Sequence, residues 1–496
     1  MRLAELAAQI PDAQLHGDGS VEVRSITCDS RTVAPGALFG ALPGTRADGA
    51  TYVPEALARG AVGVLAGRPL SCDQAPLIVS PQPRKAFATA AERLYGSPSQ
   101  RLALAGVTGT NGKTTTAYLL RHLLTASGER CGLLGTIMYD TGRESRPAPM
   151  TTPDSATFAR LLAEMVDGGC SAAVAEVSSH ALDQDRVCGA QYAAAVFTNL
   201  TRDHLDYHMD MERYAAAKMR LFELLEPGAC AVLNADDPYA ARMAGATRGR
   251  PAWYGLDALA DLTARIRELT LEGSVFTVSY AGRAREVQTR LVGRHNVRNA
   301  LAAALAAVRL GTDLDDVMQG LESFAGVPGR LERVRGPGGP AVFVDYAHTD
   351  DALRHVLAAL RPLCRGRLIL VFGCGGDRDR GKRPLMARTA EAGADRVVVT
   401  HDNPRTESRD RIFADVRGGF QRPEAVLWQP DRARAVAEAV ALAEPADTVL
   451  VAGKGHETYQ MVGTQRFPLD DREVARKALV QQFGSGEASQ EACACA

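Results

Sequence analysis

A chain of 496 residues, 46% hydrophobic and 23% charged, has the composition of an ordinary globular protein and is too long for one core, so about three domains of roughly 150 residues are expected. Its 57 Lys and Arg against 58 Asp and Glu leave a net charge of −1, which excludes a global basic field for nucleic acid or an anionic membrane; any anion is bound locally. No window approaches the roughly 20 apolar residues of a membrane span. Residues 1–15 are broken by Glu5, Gln9, Pro11 and Asp12 and do not read as a signal peptide, and the ten cysteines form no C-x-x-C pair. A reducing cytoplasm is the expected compartment.

Residues 1–98 mix short apolar runs with loops such as 43–49 and carry no nucleotide motif. A joint, Gly96-Ser97-Pro98-Ser99, closes this first domain. Residues 99–327 open with the apolar run Arg101–Val107, a glycine turn and a helical pattern from Lys113. The runs Ala172–Val177, Ala193–Phe197 and Ala229–Leu233 then alternate with helical stretches, predicting an α/β domain whose central parallel sheet is of the P-loop ATPase kind. The second joint, Ala325-Gly326-Val327-Pro328-Gly329, leads into 328–484. There Val342–Val344, Leu368–Phe372, Arg396–Val399 and Thr448–Val451 predict a Rossmann-like doubly wound sheet with its functional loops after the strands' carboxyl ends. Both joints are candidate hinges. The small, polar tail 485–496 is expected to be disordered.

The sharpest motif is Gly109-Thr110-Asn111-Gly112-Lys113-Thr114-Thr115, set between a strand and a helix. Glycines let backbone N–H groups close on phosphate oxygens, the helix N-terminus adds positive potential, Lys113 reaches the β/γ-phosphates and Thr114 ligates Mg²⁺. Strict G-x-x-x-x-G-K-[ST] needs glycine at 107, where this chain has Val107, so the motif is a variant. The bland alternative is a glycine turn with a solvated lysine.

Glu176 ends an apolar strand in the same domain, where a Mg²⁺ ligand would sit. His204 and His208, four residues apart, raise a zinc reading that lacks the glutamate of H-E-x-x-H; a structural role for His208 is the alternative. On spacing alone Lys218 reads as an exposed helix lysine.

Taken together, GTNGKTT, EVSSHAL, TNLTRDHLDYH, AAAKMRLF, GRHNVRNA, GRLERV, VDYAH, GCGGDRDRGKRP, DNPR and GKGHETYQ stand in the order found in the Mur ligases of peptidoglycan synthesis. The chain resembles that family over its whole length apart from the tail. Within it, the likeness is to members adding the third peptide residue to UDP-N-acetylmuramoyl-L-alanyl-D-glutamate with ATP and Mg²⁺. The resemblance implies that Glu176 and His204 ligate magnesium and that Lys218 is carbamylated to bind a second ion. It places Asn296, Asn299, Arg330 and Asp345 near the nucleotide and reacting phosphate. Ser30, Thr45, Arg46 and Ala47 fall on the UDP side, and Thr151, Thr152, Ser178, Gln184 and Arg186 along the muramoyl-peptide. A monomer is expected, and charge and hydropathy predict no nucleic-acid or membrane partner. Two positions depart from the family: Met209 where glycine is usual, and Asp350 where proline is.

Asp402-Asn403-Pro404-Arg405 follows an apolar strand. Arg405 offers a planar fork for a carboxylate and Arg378 a second. Meso-diaminopimelate carries an amine and a carboxylate at its far end, lysine the amine alone, so the arginine favours diaminopimelate. Alternatively DNPR is an Asx-turn with a surface arginine. The resemblance adds Gly453 and Glu457 to this pocket, Glu457 opposite the distal ammonium. Other readings are a lysine-adding homologue, a folylpolyglutamate-type ligase and a nucleotide-operated switch without turnover.

Overall fold

The computed structural model describes residues 1–44, 47–71 and 74–484; Thr45, Arg46 and the tail 485–496 lie outside them. The fold is mixed α/β with three principal sheets. The first holds β1 (Gln14–His16), β2 (Ser25–Thr27), β3 (Ala37–Ala41), β4 (Ala61–Ala66) and β5 (Leu77–Val79) in the order β1-β5-β4-β3-β2. Only the β1/β5 pairing is antiparallel. The helix Pro83–Leu94 starts with proline at its first turn, where a missing N–H costs nothing. It buries Ala86, Phe87, Ala90 and Ala91 with Leu38, Leu65 and Ile78 of the sheet.

The central sheet is built on β6 (Ala103–Thr108), β7 (Cys131–Leu134), β8 (Met138–Asp140), β9 (Ser145–Pro147), β10 (Ala172–Glu176), β11 (Ala194–Phe197), β12 (Cys230–Asn234) and β13 (Arg250–Gly255). From β13 the order runs β12-β11-β6-β10-β7, all parallel, with β8 and β9 added antiparallel beyond β7. Alternate strand residues Leu104, Ala173, Ala175, Ala195, Phe197, Ala231 and Leu233 face one core. Phe158, Leu161, Leu162 and Met165 meet them from the helix Ser155–Asp167 at the i, i+3, i+4, i+7 spacing of one helical face. Register sets Glu176 opposite Val107 and Phe197 opposite Thr108. The carboxyl ends of β10 and β11 therefore flank the turn that follows β6, where strand order reverses.

After β14 (Leu262–Thr270), β15 (Gly273–Tyr280) and β16 (Arg283–Thr289), the third sheet comprises β17 (Glu332–Val334), β18 (Ala341–Asp345), β19 (Leu368–Cys374), β20 (Arg396–His401), β21 (Leu427–Trp428) and β22 (Thr448–Ala452). Its order is β17-β18-β22-β19-β20-β21, parallel except at β17. The two-residue period of a strand divides its side chains between two cores. Leu368, Leu370, Phe372 and Val399 pack on one face, and Ile369, Val371, Val398 and Val451 on the other. Both faces are covered, as doubly wound folding requires. A hairpin, β23 (Tyr459–Val462) with β24 (Gln465–Pro468), follows.

By contact the chain divides into two compact units. One holds Met1–Ala264, Val278–Arg285 and Arg298–Leu321; the other Arg265–Thr277, Glu286–Val297 and the chain from Glu322 onward. The joint at residues 96–99 is internal to the first unit. Ser99 there is buried and donates to Glu92 through both backbone N–H and hydroxyl.

Candidate active site

The turn after β6 is gripped from β11. Thr110 N–H donates to Asn199 O (2.9 Å) and Asn111 N–H to Asn199 Oδ1 (3.0 Å), while Thr198 Oγ1 donates to Asn111 O (2.7 Å). Thr110 Oγ1 also lies 3.1 Å from Tyr214 OH. Gly109 must be glycine: its φ is +151°, and a Cβ would stand 1.8 Å from Thr198 Oγ1. Gly112 has φ +85°, with Asn299 Oδ1 2.3 Å from where a Cβ would be. Asn299 thus packs against this loop. Lys113 opens the helix Lys113–Ala126, and its Nζ donates back to Gly109 O (2.9 Å) and Thr110 O (2.8 Å). This lysine and the helix's first N–H groups form a positive cradle. Thr115 is buried in the same first turn.

Glu176, fully buried at the end of β10, accepts from Thr114 Oγ1 (2.9 Å), Thr136 N–H (2.8 Å) and Thr136 Oγ1 (3.0 Å). Lys218 corrects the exposed-helix reading: it is 1% exposed and donates from Nζ to Gly109 O at 2.7 Å. Burial, with Lys113 nearby, drives its pKa well below the usual lysine value, favouring the neutral amine. His204 adopts φ +55° at the start of the short helix Leu205–His208. Its ring, edge-on to His180 at 5.0 Å, is 44% exposed yet held down to about 4 by partial burial against the pull of Asp203, with Lys113 and Lys218 adding to the depression. His208 is buried, with its Nε2 2.9 Å from Ser179 Oγ, a contact that fits a structural role. Among the described residues no three His, Cys, Asp or Glu side chains form a metal cluster. The oxygen pair Thr114 and Glu176 fits a hard cation such as Mg²⁺.

Beside this runs a polar track. Thr151 Oγ1 is 3.1 Å from Thr136 Oγ1; Thr152 Oγ1 donates to Glu176 O (2.8 Å) and receives Ser178 N–H (3.0 Å). Ser178 caps the helix Ser179–Asp183. Arg186 donates to Thr152 O (3.2 Å) and, through Nε, to Gln184 Oε1 (3.0 Å), while Gln184 donates to Tyr207 OH (3.2 Å). The five residues assigned to the peptide side are therefore contiguous. Ser30 donates to Glu55 (2.9 Å), and Ala47 O accepts from Gly44 N–H (3.1 Å).

In the second unit, Asp402, Asn403 and Pro404 are buried and Arg405 half-buried, so DNPR is not a surface turn. Arg405 sits at φ +53° and donates to Gly376 O (2.8 Å); Arg378, exposed, is on the neighbouring loop. Asn403 Nδ2 donates to Glu457 Oε2 (2.9 Å). Gly453 has φ +115°, and a Cβ there would lie 2.8 Å from Asp402 Oδ2. Asp345, at the end of β18, accepts from Leu331 and Ala347 N–H at 2.6 and 2.8 Å. Burial raises its pKa against the pull of Arg330, which lies 4.7 Å over the Tyr346 ring. Asn296 donates to Val292 O (3.0 Å).

The family models described as "Mur ligase family, catalytic domain", "Mur ligase middle domain" and "Mur ligase, glutamate ligase domain" match residues 22–104, 107–307 and 329–455. Proteins named "UDP-N-acetylmuramoyl-L-alanyl-D-glutamate--2,6-diaminopimelate ligase" are similar over nearly the whole chain. That of Synechococcus elongatus is 45% identical, covering 97% of this chain and 99% of its own, and that of Gloeobacter violaceus 46%, covering 98% and 99%. The chain belongs to the Mur ligase family. A solved structure titled with the same ligase name superposes with a TM-score of 0.71 at 34% identity, covering 97% of this chain and 99% of that one. A folylpolyglutamate synthase from Mycobacterium tuberculosis, at 21% identity and TM-score 0.61, covers 81% of this chain and 95% of its own; it shares the fold.

The two departures from the Mur ligase pattern have local explanations. Met209 has φ +71° and ψ −48°, and Asp210 N–H donates to His208 O (2.9 Å), a γ-turn that glycine would enter without strain. Asp350 is the first residue of the helix Asp350–Leu360, where proline is tolerated and a carboxylate favours the helix dipole. Thr136, Thr198, Asn199 and Lys454 were not singled out in the sequence. Thr198 and Asn199 carry the signal of polar residues just past an apolar strand; Thr136 carries none.

Proposed function

We propose that this Mur ligase joins meso-2,6-diaminopimelate to the D-glutamate γ-carboxylate of UDP-N-acetylmuramoyl-L-alanyl-D-glutamate, using ATP. Near-full-length similarity to ligases of that name carries the reading, and the phosphate cradle after β6 supports the use of a nucleotide. The γ-carboxylate attacks the ATP γ-phosphate, giving an acyl phosphate and ADP. The diaminopimelate amine then adds to that carbonyl, phosphate leaves and an amide remains.

Such chemistry asks for positioning and charge neutralisation more than for a protein nucleophile. Lys113 and the helix N-terminus would bind the phosphates, exchanging the loop carbonyls for phosphate oxygens. Thr114, Glu176, His204 and a carbamate on Lys218 would hold Mg²⁺, which when bound neutralises phosphate charge. Burial supports the carbamate, because the neutral amine is the form that adds CO₂, releasing a proton. Thr151, Thr152, Ser178, Gln184 and Arg186 would orient the muramoyl-peptide, with Ser30, Thr45, Arg46 and Ala47 toward the UDP. Arg330, Asp345, Asn296 and Asn299 would act near the nucleotide and reacting phosphate. Arg405, Arg378, Asp402, Asn403, Pro404, Gly453 and Glu457 would form the amino-acid pocket.

The test is ADP release, measured with the UDP-dipeptide across a panel of amino acids. Release that requires both the precursor and diaminopimelate supports the proposal. Release with neither, or with folate in place of the precursor, refutes it.

A further inference from the structure

The amino-acid pocket contains a cation that its proposed ligand contacts do not include. Lys454 follows β22, while Asn403 follows β20, on the other side of β19. Its side chain is 0% exposed, against 19% for Glu457. Nζ donates to Glu457 Oε2 at 2.8 Å and to Asn403 Oδ1 at 3.1 Å, and lies 5.5 Å from the Tyr459 ring centroid. Asn403 closes the triangle by donating Nδ2 to the same Glu457 oxygen at 2.9 Å, and its Oδ1 also takes Met461 N–H at 2.8 Å. Glu457 is thus fixed through one oxygen, and a buried ammonium already balances its charge.

The consequence is selective. An amino acid whose far end is an ammonium alone needs an unshared carboxylate as counter-ion, because desolvating an unpaired charge is costly. One whose far end carries both ammonium and carboxylate brings its own balancing charge, and its carboxylate has Arg405 to meet. We infer that Lys454 is a specificity-determining positioning residue: by sharing Glu457 and Asn403 it makes the pocket a poor counter-ion for a monoamine and a good one for a zwitterionic end. This deepens the functional reading above and rests on it. The discrimination is built partly from a disfavoured competitor and not only from contacts to the preferred substrate.

The experiment compares kcat/KM for meso-diaminopimelate and L-lysine, with saturating ATP and UDP-dipeptide, in wild type, Lys454→Met, Lys454→Gln and Lys454→Arg. Thermal melts establish folding; Lys454→Gln keeps a donor to Glu457 should Lys454→Met fail to fold. In Lys454→Met and Lys454→Gln, preference for diaminopimelate over lysine should fall by about tenfold or more, with lysine use rising in absolute terms. Lys454→Arg keeps the charge and should hold the preference within about threefold of wild type. Equal losses for both amino acids in the neutral variants would mean that Lys454 only supports the fold, and would overturn the inference. A wild type that uses neither amino acid, or both alike, would instead refute the functional reading, and it is seen before any variant is compared.

Discussion

Replacing Lys218 by methionine separates its chemical role from its packing. The side chain is 1% exposed. Its ammonium end donates to Gly109 O (2.7 Å) and lies 4.6 Å from the Tyr214 ring centroid. A lost hydrogen bond costs about 0.5–1.5 kcal/mol, but Gly109 O keeps a second donor, Lys113 Nζ at 2.9 Å. Removing a buried amine also relieves a desolvation penalty. Methionine, of similar length, should therefore change stability by no more than about 1 kcal/mol, while alanine, leaving a cavity, should cost about 2–3 kcal/mol. The depressed pKa fixes a sign as well. The unfolded lysine binds a proton below its ordinary 10.5 and the buried one does not, so stability is full above that pH and falls as the pH drops toward the folded pKa. Lys218→Met should lose that part of the pH slope in denaturant titrations. ADP release should nevertheless fall by about a hundredfold or more in both variants if a carbamate at this position serves the reaction. Acetate or formate should restore activity in Lys218→Ala, which has room for it, and not in Lys218→Met. Full turnover by Lys218→Met, or an equal response of both variants to acid, would refute the reasoning.

Lys113→Ala should abolish ADP formation at saturating ATP while leaving the melting curve close to wild type, because the side chain is half-buried and its ammonium bonds to carbonyls of its own loop. Arg405→Ala should lower kcat/KM for diaminopimelate by about tenfold to a hundredfold, the cost of roughly 1–3 kcal/mol for an unmet polar group. It should hurt lysine far less; an equal loss for both would show that DNPR is only a turn. Met209→Gly should raise stability to denaturant by about 1 kcal/mol, by removing a side chain 66% exposed from a backbone at φ +71°. An unchanged or lower midpoint would mean that the turn carries no strain.

The phosphate loop was legible because its signal is local: an apolar strand, glycines and a Lys-Thr pair within a dozen residues. Four strands of the third sheet, β18, β19, β20 and β22, were legible for the same reason, being apolar runs buried on both faces; β17 and β21, short and partly exposed at the sheet's edges, were not. Lys218 was misread through attention to charge over period. Tyr214, Ala215, Ala217, Leu221 and Phe222 are buried on the helix Met211–Glu223, and 218 lies on that same stripe, four from 214 and 222. Thr136 was beyond reach, since its bonds to Glu176 join positions 40 residues apart. The burial of Asn403 and Lys454 was hidden likewise, because β19 separates their strands and only sheet order brings them together.

Four of the charged groups assigned to the reaction share one property. Lys113 is bonded to loop carbonyls, Glu176 to Thr114 and Thr136, Arg405 to Gly376 O, and Glu457 to Lys454 and Asn403. Substrates must therefore exchange these partners rather than meet bare charges, and the free energy of each contact is a difference between two hydrogen-bonded states. Internal partners keep buried charges affordable to the fold, since an unpaired one would cost far more than a surface charge. They also set selectivity. A ligand that replaces every internal bond it breaks binds well, and one that leaves a partner stranded bears the desolvation of that group. Such discrimination is steepest where the internal partner is fully buried, as Lys454 is at 0% exposure. It should be shallow where the group is half-exposed, as at His204, whose side chain is 44% exposed. Substitutions at the buried partners should accordingly alter which substrate is used, while substitutions at the exposed groups should alter mainly how fast the preferred one turns over.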